Sequence, residues 1–275
     1  MIENLEKIAK NVRIDIIDMV YAAQSGHPGG SLGIADVMVG IYFYAMVDGD
    51  KFVLSKGHCS PALYGVLAEK GLIPKEDLKG FRQANSYLQG HPSRNEKIEV
   101  DMSTGSLGQG ISAACGMAKA FKINENHPVR SASTPPEEGN LQRVYCVMGD
   151  GEQDEGQVWE AATFAAHYGL DNLCAVVDLN GLQIDGATKD VMNTALISDR
   201  YRAFNWNVIE IDGNNFEQIL GALDKAKEFK GKPTVIIAKT IKGKGVSFME
   251  NNYEWHGKAP NKEQYELARE ELESL

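Results

Sequence analysis

Apolar residues recur at intervals of three and four along the first part of the chain. The positions are Leu5, Ile8, Val12, Ile16 and Met19. This spacing puts the apolar side chains on one face of a helix, so it predicts an amphipathic helix that ends before Gly26. A second helix is predicted after the glycine-rich turn at 26–30. Ser31 is its expected N-cap, because a serine oxygen can accept a hydrogen bond from a free amide of the first turn.

The later part of the chain alternates between apolar runs and helical patterns. The continuous apolar runs of strand length are 144–148, 173–177, 208–211 and 234–238. Helical patterns at about 158–168 and 216–229 lie between them. Buried strands alternating with helices are typical of a parallel sheet covered on both faces. The sequence therefore predicts an α/β fold with a parallel sheet and helices on both faces.

We expect a single domain over residues 1–275. The polar, proline-containing stretch 124–142 is expected to be a surface loop rather than a linker between domains. The stretch at about 262–275 is expected to be an acidic C-terminal helix.

Charge and composition exclude several classes of protein. The net charge is −10, and duplex nucleic-acid binders normally carry a basic patch, so nucleic-acid binding is not expected. No apolar stretch approaches the roughly 20 residues of a membrane span, and the N-terminus lacks the pattern of a signal peptide. The 4 cysteines form no C-x-x-C pair, which favours reduced thiols and a cytoplasmic protein.

The first candidate site is the Gly149-Asp150-Gly151 turn, directly after a predicted strand. Asn180 follows about thirty residues later, after one helix and one further strand. Both side chains are then expected at the carboxyl ends of parallel strands, where α/β sheets bind ligands. An aspartate, an asparagine and a nearby carbonyl are hard oxygen donors that suit Mg²⁺, with phosphate oxygens completing the shell.

Histidines supply the second signal. His27, His58, His91 and His256 lie in glycine-flanked loops rather than on apolar helix faces. Imidazoles can exchange protons with sugar hydroxyls at neutral pH. For His127 and His167, an ordinary structural role is the better interpretation.

Several segments resemble transketolases, in the order found in that family. They are SGHPG at 25–29, LSKGH at 54–58, GHP at 90–92, STGSLGQG at 103–110, the GDG turn with Asn180, and WHGK at 255–258. The resemblance covers nearly the whole chain and implies the thiamine-diphosphate-binding fold. It also implies thiamine diphosphate as the cofactor, together with Mg²⁺ or another divalent cation such as Ca²⁺ or Mn²⁺.

The resemblance also implies roles for individual residues. It assigns the cation to Asp150, Asn180 and the Leu182 carbonyl. The implied cofactor-binding residues are His58, Gly105, Ser106, Leu107, Gly149, Asp150, Gly151, Glu152, Asn180, Leu182, Lys242 and His256. The implied catalytic residues are His27, His58, His91, His256, Glu155 and Glu160.

Within this set, His27 and His256 are similar to the pair that handles the C3 hydroxyl of the donor ketose, and His91 to the contact for its C1 hydroxyl. Glu155 and Glu160 resemble the acidic residues that link two active sites across a subunit interface. A solvated helix N-terminus remains the alternative for these two glutamates. Lys56 and Lys258 match positions near cofactor or substrate, although Lys56 can also be interpreted as a solvated lysine.

In transketolases, the glutamate that activates the thiamine ring belongs to a second, pyrimidine-binding domain. The resemblance therefore implies the N-terminal subunit of a split transketolase, acting on sugar phosphates with a separate C-terminal subunit, as a heterotetramer with two copies of each. Two alternatives stay open. One is a non-catalytic cofactor-binding subunit, and the other is half of a related thiamine enzyme such as a deoxyxylulose-phosphate synthase.

Overall fold

A computed structural model describes residues 1–126, 141–193 and 195–275. The strands of this part of the chain are β1 (Lys51–Leu54), β2 (Val144–Gly149), β3 (Leu173–Leu179), β4 (Leu182–Gln183), β5 (Gly186–Ala187), β6 (Asn207–Asp212) and β7 (Thr234–Lys239). Five of the described strands form one parallel sheet in the order β1-β2-β3-β7-β6, whereas β4 and β5 form a short antiparallel hairpin. The predicted parallel sheet is confirmed.

The helices of the same residues surround this sheet. They are α1 (Ile2–Ala23), α2 (Pro28–Gly40), α3 (Ser60–Glu69), α4 (Gln109–Asn126), α5 (Gly156–His167), α6 (Thr188–Val191), α7 (Ile197–Ala203), α8 (Phe216–Glu228) and α9 (Lys262–Ser274). No helix in these ranges is long and apolar enough to cross a bilayer.

Two apolar clusters cover the two faces of the sheet. Helices α1, α2, α3, α8 and α9 pack on one face and α4, α5 and α7 on the other. Alternate residues of β2 point to opposite clusters, with Tyr145 and Val147 in the first and Cys146 and Met148 in the second. Because both faces are buried, every residue of β2 is buried and the strand reads as a continuous apolar run. The predicted covering of both faces is confirmed.

The start of α2 differs from the sequence-based expectation. The helix begins at Pro28, with His27 as its N-cap, and Ser31 lies inside the first turns. The Ser31 hydroxyl donates to the His27 carbonyl at 2.7 Å instead of accepting from an amide. Proline suits the first helical position because its fixed φ is helical and its missing N–H would be unpaired there. The prediction of Ser31 as the N-cap was therefore wrong.

The expected surface loop at 124–142 also begins later than predicted. Helix α4 runs to Asn126, so residues 124–126 are helical. Residues 127–140, which make up most of the expected loop and include His127, lie outside the described residues.

Candidate active site

The candidate site lies at the carboxyl end of the parallel sheet. There β1 leads into Ser55 and Lys56, β2 into Asp150, and β3 into Asn180, while Lys242 follows β7. The segments converge because neighbouring parallel strands end at the same edge. Together with the loops at 105–107 and 182–185 they line a pocket of about 290 Å³. Every residue of the implied cofactor-binding set lines this pocket except Ser106, which is exposed.

Asp150 is a buried carboxylate at the floor of the pocket. Its Oδ1 accepts the Gly151 N–H at 2.8 Å and its Oδ2 accepts the Gly181 N–H at 2.6 Å. Burial, together with the neighbouring charge of Asp178, raises the pKa of Asp150 to about 6. A cation beside this carboxylate would offset both effects, because it favours the ionised form.

Asn180 and Leu182 supply further oxygen atoms next to Asp150. The Asn180 side-chain N–H donates to Asp178 Oδ2 at 3.3 Å, and its Oδ1 accepts the Leu182 N–H at 3.1 Å. No group of three His, Cys, Asp or Glu side chains in the described ranges could hold a metal by itself. The oxygens of Asp150, Asn180 and Leu182 therefore fit a hard cation whose remaining ligands come from water and a phosphorylated ligand.

Two lysines reach the same pocket from below. Lys56 is 2% exposed and forms an ion pair with Asp178, which is 0% exposed. The Thr240 hydroxyl donates to the other oxygen of that carboxylate. Lys242 is also 2% exposed and lies 3.4 Å from the Leu182 carbonyl oxygen. The alternative of a solvated Lys56 is thereby excluded.

Glu152 lines the pocket but directs its carboxylate into the protein. Oε1 accepts the Gly108 N–H at 2.8 Å and the Ser55 hydroxyl, and Oε2 accepts the Gly149 N–H at 3.0 Å. Burial raises the pKa of this carboxyl group, while the hydrogen bonds lower it.

The four loop histidines form one cluster beside the pocket. The ring centroids of His27 and His58 are 5.3 Å apart, those of His27 and His256 are 5.3 Å apart, and those of His58 and His256 are 5.2 Å apart. His91 lies 6.2 Å from His27. The fold brings together residues that are more than 200 positions apart, which supports the interpretation of these loops as a functional site.

The cluster is held in its neutral form. Burial, followed by the charge of Arg82, lowers the pKa of His27 to about 4. Burial and the charge of Lys242 lower the pKa of His256 to about 3. Burial also lowers the pKa of His58 and His91. At pH 7 these side chains can accept a proton from, or donate a hydrogen bond to, a hydroxyl group.

Arg82 is a neighbour of this cluster that the sequence did not reveal. Its guanidinium donates to the Ser25 hydroxyl at 3.2 Å and lies 3.5 Å from His27 Nδ1. Its backbone is left-handed, with φ of 58°. At Gly90 a Cβ atom would lie 2.6 Å from the guanidinium carbon, so only glycine leaves room for Arg82 there. A left-handed non-glycine residue beside a histidine cluster marks a constrained site, but the contact with Gly90 is tertiary.

Some predicted residues lie apart from the pocket. Glu155 and Glu160 are exposed at the start of α5 and do not line it. Glu155 packs near Gly108, where a Cβ atom would lie 2.8 Å from Glu155 Cβ. Lys258 is exposed, with its ammonium 5.1 Å from the centroid of the Trp255 ring.

Comparison with known families places this arrangement. A family described as "Transketolase, thiamine diphosphate binding domain" matches residues 4–273. The 6-deoxy-6-sulfo-D-fructose transketolase subunit SqwG of Clostridium sp. (strain MSTE9) is 42% identical over 279 residues, which cover 98% of this chain and 96% of that protein. One subunit of the apulose-4-phosphate transketolase of Phocaeicola vulgatus is 38% identical over 280 residues, which cover 98% and 94%.

Other relatives are longer. Transketolase-like protein 2 of Mus musculus is 41% identical over 263 residues, which cover 92% of this chain but 40% of that protein. The crystal structure of a transketolase from Campylobacter jejuni superposes with a TM-score of 0.88 at 34% identity, covering 99% of this chain and 43% of the other. The chain thus spans about two fifths of the length of these relatives.

Proposed function

Because the chain belongs to the thiamine-diphosphate-binding domain family of transketolases, we propose that it is the diphosphate-binding subunit of a two-subunit transketolase. With a separate pyrimidine-domain subunit, the enzyme transfers a two-carbon ketol unit from a ketose phosphate to an aldose phosphate. Two relatives that the chain matches over 96% and 94% of their length are each named as a transketolase subunit. The expected assembly contains two copies of each subunit.

The pocket supports a diphosphate held with a divalent cation. Asp150, Asn180 and the Leu182 carbonyl would hold the cation, and the Lys56 and Lys242 ammonium groups would attract the diphosphate. An acidic protein needs such local cations, since its net charge of −10 repels an anionic ligand. When bound, thiamine diphosphate supplies the nucleophilic carbon and the electron sink that ketol transfer requires.

The observation that carries the proposal is the neutral imidazole cluster beside this pocket. Because the pKa of His27 and that of His256 are low, both rings are free to take up a proton from a sugar hydroxyl. His91, 6.2 Å from His27, would contact a neighbouring hydroxyl of the same ketose, and His58 would lie between sugar and diphosphate. A subunit that only stored the cofactor would not require this cluster.

The sugar pair is a further part of the proposal. One relative is named for a sulfo-sugar and another for apulose 4-phosphate, so enzymes of this family act on ketoses that differ at the end remote from the transferred carbons. We expect the partner subunit to make most contacts with that remote group. In this chain all the described cysteines are free and buried, which supports a reducing, cytoplasmic setting.

The test is reconstitution. The chain is purified alone and with the product of a neighbouring gene that encodes a pyrimidine-type subunit. Ketol transfer is then measured with xylulose 5-phosphate, ribose 5-phosphate, thiamine diphosphate and Mg²⁺, and in parallel with a sulfo-ketose and apulose 4-phosphate. Activity only in the mixture is the expected result. A mixture that forms and binds cofactor but transfers no ketol unit from any of these sugars would contradict the catalytic proposal and favour a cofactor-binding subunit.

A further inference from the structure

Glu152 is an anion at a site where an anionic ligand is expected, yet it is fully used by the protein. The residue is 2% exposed. Its two oxygens accept three hydrogen bonds, from the Ser55 hydroxyl and from the N–H groups of Gly108 and Gly149. A carboxylate with three donors is well satisfied, so it has no need of a ligand.

The three donors belong to three separate segments of the pocket wall. Ser55 precedes Lys56 in the segment after β1, Gly108 ends the loop that begins at Gly105, and Gly149 precedes Asp150 at the end of β2. Each segment therefore contributes a pocket-lining residue close to the atom that Glu152 binds. One buried side chain connects the three.

These segments are also in direct contact with one another. A Cβ atom at Gly110 would lie 2.7 Å from Ser55 Cα, and one at Gly57 would lie 2.6 Å from Thr104 Oγ1. The segments are packed without free space between them, so a shift of one displaces the next.

We propose that Glu152 is a positioning residue that presets the cofactor pocket by fixing these three segments, rather than a group that touches the cofactor. The proposal rests on the proposed function, since it concerns the affinity of this pocket for thiamine diphosphate. The family resemblance implies only that Glu152 lies near the diphosphate.

A simple change of charge separates this role from a purely electrostatic one. Glu152→Gln removes a negative charge beside an anionic ligand, so electrostatics alone would make the diphosphate bind more tightly. A glutamine has only one acceptor oxygen, and its amide N–H faces an N–H of Gly108 or Gly149. The positioning role therefore makes the cofactor bind more weakly. The two roles differ in the sign of the effect.

The experiment measures the affinity of thiamine diphosphate for the complex with the partner subunit, by calorimetry in Mg²⁺. We expect Glu152→Gln to weaken binding about 10- to 100-fold, the usual range for a residue that orients ligand-binding groups. Ser55→Ala keeps the charge and removes one donor, and should weaken binding less. Asp154→Asn is the matched control, because it removes the same charge from an exposed neighbour whose carboxylate accepts one hydrogen bond from Gln183.

A second readout separates positioning from general damage. With saturating cofactor, the KM for the sugar donor should be unchanged in Glu152→Gln, because the histidine cluster does not contact Glu152. Thermal denaturation identifies any variant that fails to fold, and Ser55→Ala then provides the test. Equal or tighter binding by a folded Glu152→Gln, or unchanged binding by Ser55→Ala, would overturn the inference. Wild-type protein that binds no thiamine diphosphate would instead overturn the proposed function.

Discussion

The Lys56 ammonium is paired with the Asp178 carboxylate beneath the pocket, and almost no part of either side chain is exposed. Asp178 also accepts hydrogen bonds from Thr240 and Asn180. It therefore connects the segment after β1 to the ends of β3 and β7. The sequence showed Asp178 only as a polar residue at the end of a strand.

Asp178→Asn should destabilise the chain by about 3–5 kcal/mol, because it leaves the buried Lys56 charge uncompensated. The measurement is the free energy of unfolding from denaturant titration followed by circular dichroism. Lys51→Gln is the control, since it breaks a partly exposed pair with Asp101 and should cost about 0–1 kcal/mol. Equal losses in the two variants would contradict the importance of the buried pair.

Asp150→Ala should abolish cofactor binding that depends on a divalent cation, while the fold is kept. The change removes the carboxylate from the oxygen set formed with Asn180 and Leu182. Calorimetry with thiamine diphosphate, in Mg²⁺ and then with a chelator, measures the effect on the assembled complex. Wild-type affinity should fall on chelation, whereas the affinity of the variant should be low in both conditions. Unchanged affinity of the variant in Mg²⁺ would remove Asp150 from the cation site.

Acid should destabilise the folded chain partly through His27. Its pKa is about 4 in the folded state against 6.5 for an ordinary histidine. As the pH falls from about 6.5 to about 4, the unfolded chain binds a proton that the folded chain refuses, so stability falls. His27→Asn should therefore lose less stability than the wild type between pH 7 and 4.5, by on the order of 2 kcal/mol. Parallel stability curves would contradict a low pKa at His27.

Asp15 provides the opposite sign in the same experiment. Burial raises its pKa to about 6 from 3.8, so the folded chain binds this proton first as the pH falls from about 6. That contribution stabilises the folded state in acid and is lost as the pH rises. Asp15→Asn removes it and should steepen the loss of stability on acidification. Chemical denaturation at a series of pH values measures both variants.

Gly90→Ala should lower kcat/KM at least about tenfold, because the new methyl group occupies the space of the Arg82 guanidinium and displaces a neighbour of His27. Gly221→Ala is the matched control. It lies in α8, where a Cβ atom meets nothing within 4 Å, and it should stabilise the chain by roughly 0.5–1 kcal/mol. Steady-state kinetics with thermal denaturation measure both variants. Full activity in Gly90→Ala would show that the position of Arg82 is unimportant.

Much of the site could be predicted because local pattern and topology agree. Asp150 and Asn180 follow buried apolar strands, and parallel strands end at a common edge, so their proximity was predictable from the order of elements. The histidine loops were identified by composition, but their 5–6 Å spacing depends on packing between distant segments. Sequence alone cannot give such distances.

The remainder depends on tertiary contacts that leave no local signal. Arg82 sits in an ordinary polar stretch, and only its contact with Gly90 shows why it faces His27. The start of α2 was misplaced because a serine is a good N-cap in isolation, whereas the actual helix uses Pro28. Glu152 was expected near a diphosphate because of its neighbours in the sequence, and the direction of its carboxylate became visible only in the structure.

Ser55 and Lys56 are consecutive residues, and each is bound by a different buried carboxylate, Glu152 and Asp178 respectively. Successive side chains of an extended segment point to opposite sides. Inserting or deleting one residue between Leu54 and Gly57 would therefore present the wrong side chain to each carboxylate. Natural variants of this chain should accordingly differ here by substitution alone, and evolution should conserve the length of this segment more strictly than its composition.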